Sequence, residues 1–190
     1  MEKFGKSQST TRVEDLRLLT GYGRYVDDIA PENALHLFVL RSSVAHATIT
    51  ALDLTAAREA EGVHLVAVAE DLHASGITDG LSCVTVKNRD GSDAANPKHP
   101  ILAEGKVFFV GQPVALVVAE TMEAAQDAAE MIEFDYDELP AQMALAKGDV
   151  DLHDEAPGNL GVDYLLGRED ETKAAFDAAA HVVRAEVVDN

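Results

Sequence analysis

At 190 residues, 47% of them hydrophobic, the chain holds enough apolar material for one good core, or one core and part of another, without disulfides or bound metal. Its single cysteine, Cys83, excludes a disulfide framework and any Cys-rich zinc or iron–sulfur site within the chain, and fits a reducing compartment. Acidic residues outnumber basic ones 34 to 15, a formal charge of −19, and such a field repels phosphate, so nucleic acid and anionic membranes are set aside as partners.

The N-terminal "MEKFGKSQSTTRVEDLRLL" is polar and lacks the apolar centre of a signal peptide. No later stretch approaches the roughly 20 apolar residues that span a bilayer, so a cytoplasmic protein is expected. "LLTGYGRYVDDI" follows, with Gly21 and Gly23 read as turn glycines leading into an edge strand. Asp27, Asp28, Pro31 and Asn33 mark a break before a predicted strand over Leu35 to Leu40. "ATITALDL" reads as the next strand; Thr55 is placed to cap a short helix over "TAAREA", Gly62 ends it, and "VHLVAV" returns as a strand.

A second unit repeats this rhythm. "KVFFVG" and "PVALVVA" are predicted strands, Thr121 caps a helix over "MEAAQDAAEM", and "IEFDYDEL" closes the unit. Glu123, Gln126, Asp127 and Glu130 fall on one helical face, which leaves an alanine face free to pack closely on a sheet. Ile132, Phe134 and Tyr136 alternate with Glu133, Asp135 and Asp137, the mark of a half-buried strand, whereas "ALVVA" is apolar on both faces and should be central. The fold class expected is α+β, two strand–helix–strand units on a mixed sheet. Between the units, "ITDGLSCVTVKNRDGSDAANPKHP" is a long Gly/Asp/Asn/Pro-rich connection, a length that usually signals a functional or interface loop. After Leu139-Pro140 the pattern weakens into an acidic stretch, then a helical run "DETKAAFDAAA" and a strand start "HVVRAEVV", which reads as an element whose partners lie further along the polypeptide.

"GYGRYV" fails the dinucleotide fingerprint, because Val26 stands at the third glycine position and Asp-Asp follows where a helix N-terminus should meet phosphate. His36, His46, His64, His73, His99, His153 and His181 are scattered without metal-ligand spacing, and His153-Asp154-Glu155 reads as a solvated loop. No G-x-S-x-G elbow occurs, and Cys83 sits in the strand-like "LSCVTV" as a small buried hydrophobe. Gln112, at the turn after Gly111, either faces a ligand or bonds its own backbone, and the second is favoured. The expectation is therefore no catalytic, no cofactor-binding and no metal residue in this chain.

Several motifs in order carry a resemblance: G-x-G-x-Y-x-D-D-I, R-S-x-x-A-H-A-x-I, H-P-x-L-A and V-G-Q-P-V-A. With "AAQDAAEMIEFDYDELPA" and "FDAAAHVVRAEV" they make nearly the whole chain resemble the N-terminal part of the molybdopterin-binding large subunit of the xanthine dehydrogenase, aldehyde oxidase and aerobic carbon monoxide dehydrogenase family. The resemblance implies an α/β-hammerhead at residues 18–140, after an N-terminal lead over 1–17. An acidic linker over 141–167 and the start of a truncated molybdopterin-binding domain over 168–190 would follow.

It also implies a parent enzyme that oxidises an aldehyde, a heteroaromatic or carbon monoxide with water as oxygen donor. Molybdopterin-molybdenum would sit in later domains of the same polypeptide, and iron–sulfur clusters and FAD on partner subunits or domains. The alternative is a freestanding hammerhead that serves assembly only. A reading frame that continues for several hundred residues favours the first reading, and an immediate stop codon the second.

Overall fold

The computed structural model describes residues 12–78, 80–81, 86–144 and 150–187. The run predicted around Cys83 lies outside them. The chain opens with a short helix, α1 (Asp15–Leu19), and a 3-10 turn over Val26–Asp28. The first strand, β1 (His36–Arg41), is followed by β2 (Ala47–Asp53), α2 (Thr55–Glu59), β3 (Val63–Ala67) and α3 (Ala69–Ala74). Beyond the long connection come β4 (Lys106–Val107), β5 (Pro113–Ala119), α4 (Met122–Glu130) and β6 (Glu133–Glu138). Last is α5 (Glu169–Asp177).

The strands form two three-stranded sheets, β1-β5-β3 and β4-β2-β6, and every pairing is antiparallel. Each predicted unit is present, but its two strands lie in different sheets: β2 and β3 flank α2, and β5 and β6 flank α4, yet β2 pairs with β6 and β5 with β3. The arrangement therefore differs from one mixed sheet. A parallel return within one sheet needs a crossover of about a dozen residues, and α2 with its turn is too short for one.

The "ALVVA" strand is central, as its two apolar faces require: Val114, Ala115, Val117 and Ala119 are all fully buried. Helix α4 lays Ala125, Ala128 and Ala129 on this sheet, and the small side chains let helix and sheet approach closely. Its polar residues point outward. Strand β6 alternates as its sequence does, with Phe134 and Tyr136 packed toward a second cluster built on Ala47, Ala103, Val107 and Val114.

Thr121 caps α4 with its hydroxyl, which accepts the Ala124 N–H at 3.1 Å. Thr121→Ala should therefore cost about 1 kcal/mol, read as a lower midpoint in urea with an unchanged slope. Thr55 does not play this part for α2. Asp53, one residue before Leu54, accepts the Thr55 N–H at 2.8 Å, and bonds from Thr55 hold the Asp53 carboxyl below its ordinary pKa. Gly62 turns the chain out of α2 at φ +76°, a conformation that L side chains rarely adopt.

Three other predictions are corrected. Gly21 turns at φ +78° after α1, a helix that the polar lead concealed, and the chain enters a 3-10 turn instead of an edge strand. Asp28 closes that turn by accepting the Tyr25 N–H at 2.8 Å. "KVFFVG" makes only the two-residue strand β4, because the Phe108 N–H turns to the Gln112 side chain. "HVVRAEVV" forms no strand over its described residues: a strand needs a ladder partner, and this stretch is exposed and unpaired.

The long connection and the acidic stretch are tied together. Arg89 bonds Asp163 at 3.1 Å and Glu169 at 3.4 Å, the Asp163 N–H donates to Asn88 at 3.0 Å, and the Ala95 N–H donates to the Gly161 carbonyl at 2.9 Å. These bonds tie residues 161–169 to residues 88–95 of the long connection.

Candidate functional site

The turn between β4 and β5 is held by several polar bonds. Gly111 adopts φ +87°, which lets its N–H donate to the Ser42 carbonyl at 2.8 Å while the Ser42 N–H donates to the Gln112 carbonyl at 2.9 Å. Gln112 is 2% exposed, and its Oε1 accepts the Phe108 N–H at 2.7 Å. Of the two roles weighed for Gln112 from sequence, the backbone bond is made.

Phe108 stands between two histidines. Its ring stacks on His153 at 4.2 Å between centroids and on His46 at 5.6 Å, with interplanar angles of 25° and 23°. His46 Nδ1 lies 2.7 Å from the Pro140 carbonyl oxygen, so this nitrogen carries the proton and donates it. The Leu139 N–H donates to the His46 carbonyl, and the two bonds hold the end of β6 against β2. Nε2 of His46 is sealed from solvent and has no partner among the described residues.

Sequence reading placed His153 in a solvated loop, and this is corrected. Asp154 and Glu155 are exposed, but His153 is half-buried against Phe108. Nothing in the local sequence signals this contact, because its partner lies forty-five positions away in the chain (153 − 108). The other histidines disperse. His64 faces Glu120 at 3.6 Å, His73 meets Glu104 at 3.1 Å, and His36 and His181 lie on the surface.

A cleft of ≈ 310 Å³ opens beside the stack, walled by Pro97, His99, Pro100, Phe108, Phe109, Gln112 and His153, with Lys98 at its rim. His99 meets Phe109 edge-on at 6.2 Å. Lys98 donates to both oxygens of Glu104 at 2.7 and 2.8 Å, and that bond, with a further one from His73 to the same Oε1, holds the Glu104 carboxyl below the ordinary carboxylate range.

Burial pushes the His153 pKa below its usual 6.5; nearby His46 and His99 push the same way, and Glu155 and Asp154 oppose them. Proton binding thus favours the unstacked ring. The seated state is at full strength above pH 6.5 and weakens as the pH falls through that value toward the lowered one. An NMR titration should place the His153 midpoint below 6.5, and Phe108→Ala should bring it back toward 6.5. A midpoint unmoved by Phe108→Ala would contradict burial by that ring as the cause.

Two interlocked antiparallel sheets, each joined to the other through a strand–helix–strand unit, define the class: an α+β framework of the hammerhead kind. The chain belongs to the family described as aldehyde oxidase and xanthine dehydrogenase, a/b hammerhead domain, which it matches over residues 20–140. It is 38% identical over 181 residues to the nicotine 6-hydroxylase large subunit of Paenarthrobacter nicotinovorans, an alignment covering 92% of this chain and 21% of that protein. Quinoline 2-oxidoreductase from Pseudomonas putida 86 superimposes with a TM-score of 0.63 at 39% identity, over 70% of this chain and 16% of that one. The carbon monoxide dehydrogenase of Oligotropha carboxidovorans gives 0.63 at 31% identity, over 90% and 22%. The chain thus spans about a fifth of the length of the curated relatives it matches.

Among the described residues no three His, Cys, Asp or Glu side chains come together as metal ligands. No helix among the described residues is long and apolar enough to cross a membrane.

Proposed function

We propose that this chain is the non-catalytic N-terminal framework of a molybdenum hydroxylase large subunit. The observation that carries the reading is the match of residues 20–140 to the hammerhead family in a chain spanning about a fifth of its relatives' length. The division is that expected above: a lead over 1–17, the hammerhead over 18–140, an acidic linker over 141–167, and from 168 the start of a molybdopterin-binding domain. The strapping of 161–169 onto the long connection supports a linker that leaves the framework along a set path.

In this reading the parent enzyme oxidises an aldehyde, a heteroaromatic or carbon monoxide, with water supplying the oxygen. Later domains of the polypeptide hold molybdopterin-molybdenum, and iron–sulfur and FAD subunits or domains carry the electrons away in the cytoplasm. The framework's residues hold no reacting atom. Its exposed apolar residues toward either end, Leu16, Leu19 and Tyr22 near the start and Val182, Val183 and Val187 near the end, support packing against those further domains.

The test is elemental analysis of two proteins produced with molybdopterin supply. The 190-residue chain should carry no stoichiometric molybdenum, and the product of the complete reading frame should carry about one per large subunit. Stoichiometric molybdenum in the short chain, or none in the long one, would overturn the reading.

A further inference from the structure

We propose that the cleft beside the Phe108 stack is a binding site for an uncharged planar ring compound that carries a hydrogen-bond acceptor on its edge. The assignment is independent of the parent enzyme's activity and of its cofactor.

The first reason is an unused donor. Gln112 is 98% buried by its 2% exposure, and its Oε1 is committed to the Phe108 N–H, which fixes the orientation of the amide. The amide nitrogen, two donors, has no partner among the described residues. It is not sealed either, since the one sealed and unpaired side-chain atom among those residues is His46 Nε2. The cleft is the opening that Gln112 lines, so the amide N–H₂ is presented there. A buried turn that spends one end of a glutamine on its own backbone and leaves the other end bare is a ready recognition group.

Shape and charge select the ligand class. At ≈ 310 Å³ the cleft is at the small end of ligand pockets, the size of a one- or two-ring compound. Its walls are flat: the rings of Phe108 and His153 lie nearly parallel, His99 and Phe109 meet edge-on, and Pro100 closes a side. Charge is neutralised at the rim, where Lys98 is bonded to both oxygens of Glu104 and is not free to pair with an anion. Net recognition therefore falls on ring surface and one accepted hydrogen bond.

The experiment compares quinoline, which accepts but cannot donate, with indole, which is similar in size and donates but does not accept. Both are titrated into the intact purified protein, followed by the backbone and Gln112 side-chain amide resonances, and soaked into its crystals. Quinoline should bind with the ring in the cleft and its nitrogen facing the Gln112 amide, at least about fivefold tighter than indole, the worth of one neutral hydrogen bond. Gln112→Glu keeps an oxygen for the Phe108 N–H and, once ionised at raised pH, offers acceptors only, so at high pH it should abolish the preference, whereas its protonated form still donates through O–H. Because the quinoline-to-indole comparison is made on the unaltered protein, the outcome does not depend on that variant folding. Equal binding of the two probes, ring density only outside the cleft, or a polypeptide segment already seated in the cleft of the intact protein would overturn the proposal.

Discussion

Val117→Asp is expected to unfold the protein. Val117 is fully buried at the middle of β5, the central strand, paired with Phe38 on β1 and Val66 on β3 and covered by the alanine face of α4. A carboxylate there finds no cation and no spare donor, because the neighbouring side chains in that cluster are aliphatic or aromatic. An uncompensated buried charge costs about 3–5 kcal/mol, and the lost valine burial adds about 1.5–3 kcal/mol. Whole-domain stability is only about 5–15 kcal/mol, so the variant should lose its cooperative thermal transition or be recovered insoluble. Leu37→Asp is the control: Leu37 lies on an edge strand of the same sheet, 52% exposed, and should cost less than about 1 kcal/mol. Equal losses in the two variants would mean that β5 is not the buried centre of the sheet.

The second large effect belongs to the turn at the cleft. Gln112→Ala removes the acceptor of the Phe108 N–H, and the backbone bonds between Ser42, Gly111 and Gln112 leave that turn little room to relax. A buried donor left without a partner costs about 1–3 kcal/mol, which in a chain of this size lowers the thermal midpoint by several degrees. Gln112→Met separates bond from bulk. Methionine fills nearly the same space but offers no strong acceptor, so most of the loss should persist. Full stability of the Met variant would show that packing, and not the hydrogen bond, is what Gln112 contributes.

The local elements were legible from residue pattern because their causes are local. The polar face of α4, the threonine at its start and the strict alternation of β6 each follow from which side of a helix or strand a given residue occupies. Where a longer-range competitor intervened, pattern failed. At the start of α2 it is Asp53, accepting the Thr55 N–H, and not the Thr55 hydroxyl that bonds the backbone, and Gln112 drew Phe108 out of a strand that its β-forming neighbours favour. The helix α1 stayed hidden because its apolar residues, Leu16, Leu18 and Leu19, are exposed and mark no buried face.

The candidate site was less legible than the fold. His46, Phe108 and His153 come from three separate stretches, and none of their neighbours in sequence shows that the rings stack. Gln112 drew notice as a polar residue at an apolar turn, but that its amide nitrogen faces a cleft depends on Pro97 to Pro100 arriving from the long connection.

What the sequence by itself determined is the element order, the central place of "PVALVVA", the two strand–helix–strand units and, through its ordered motifs, the family. Periodicity and turn chemistry act within a dozen residues and leave their mark there. Only the tertiary structure decided that the units exchange strands between two antiparallel sheets, and that an acidic stretch folds back to lay His153 on Phe108. Both depend on contacts between residues far apart in the chain, where many pairings satisfy the same local pattern and packing selects among them.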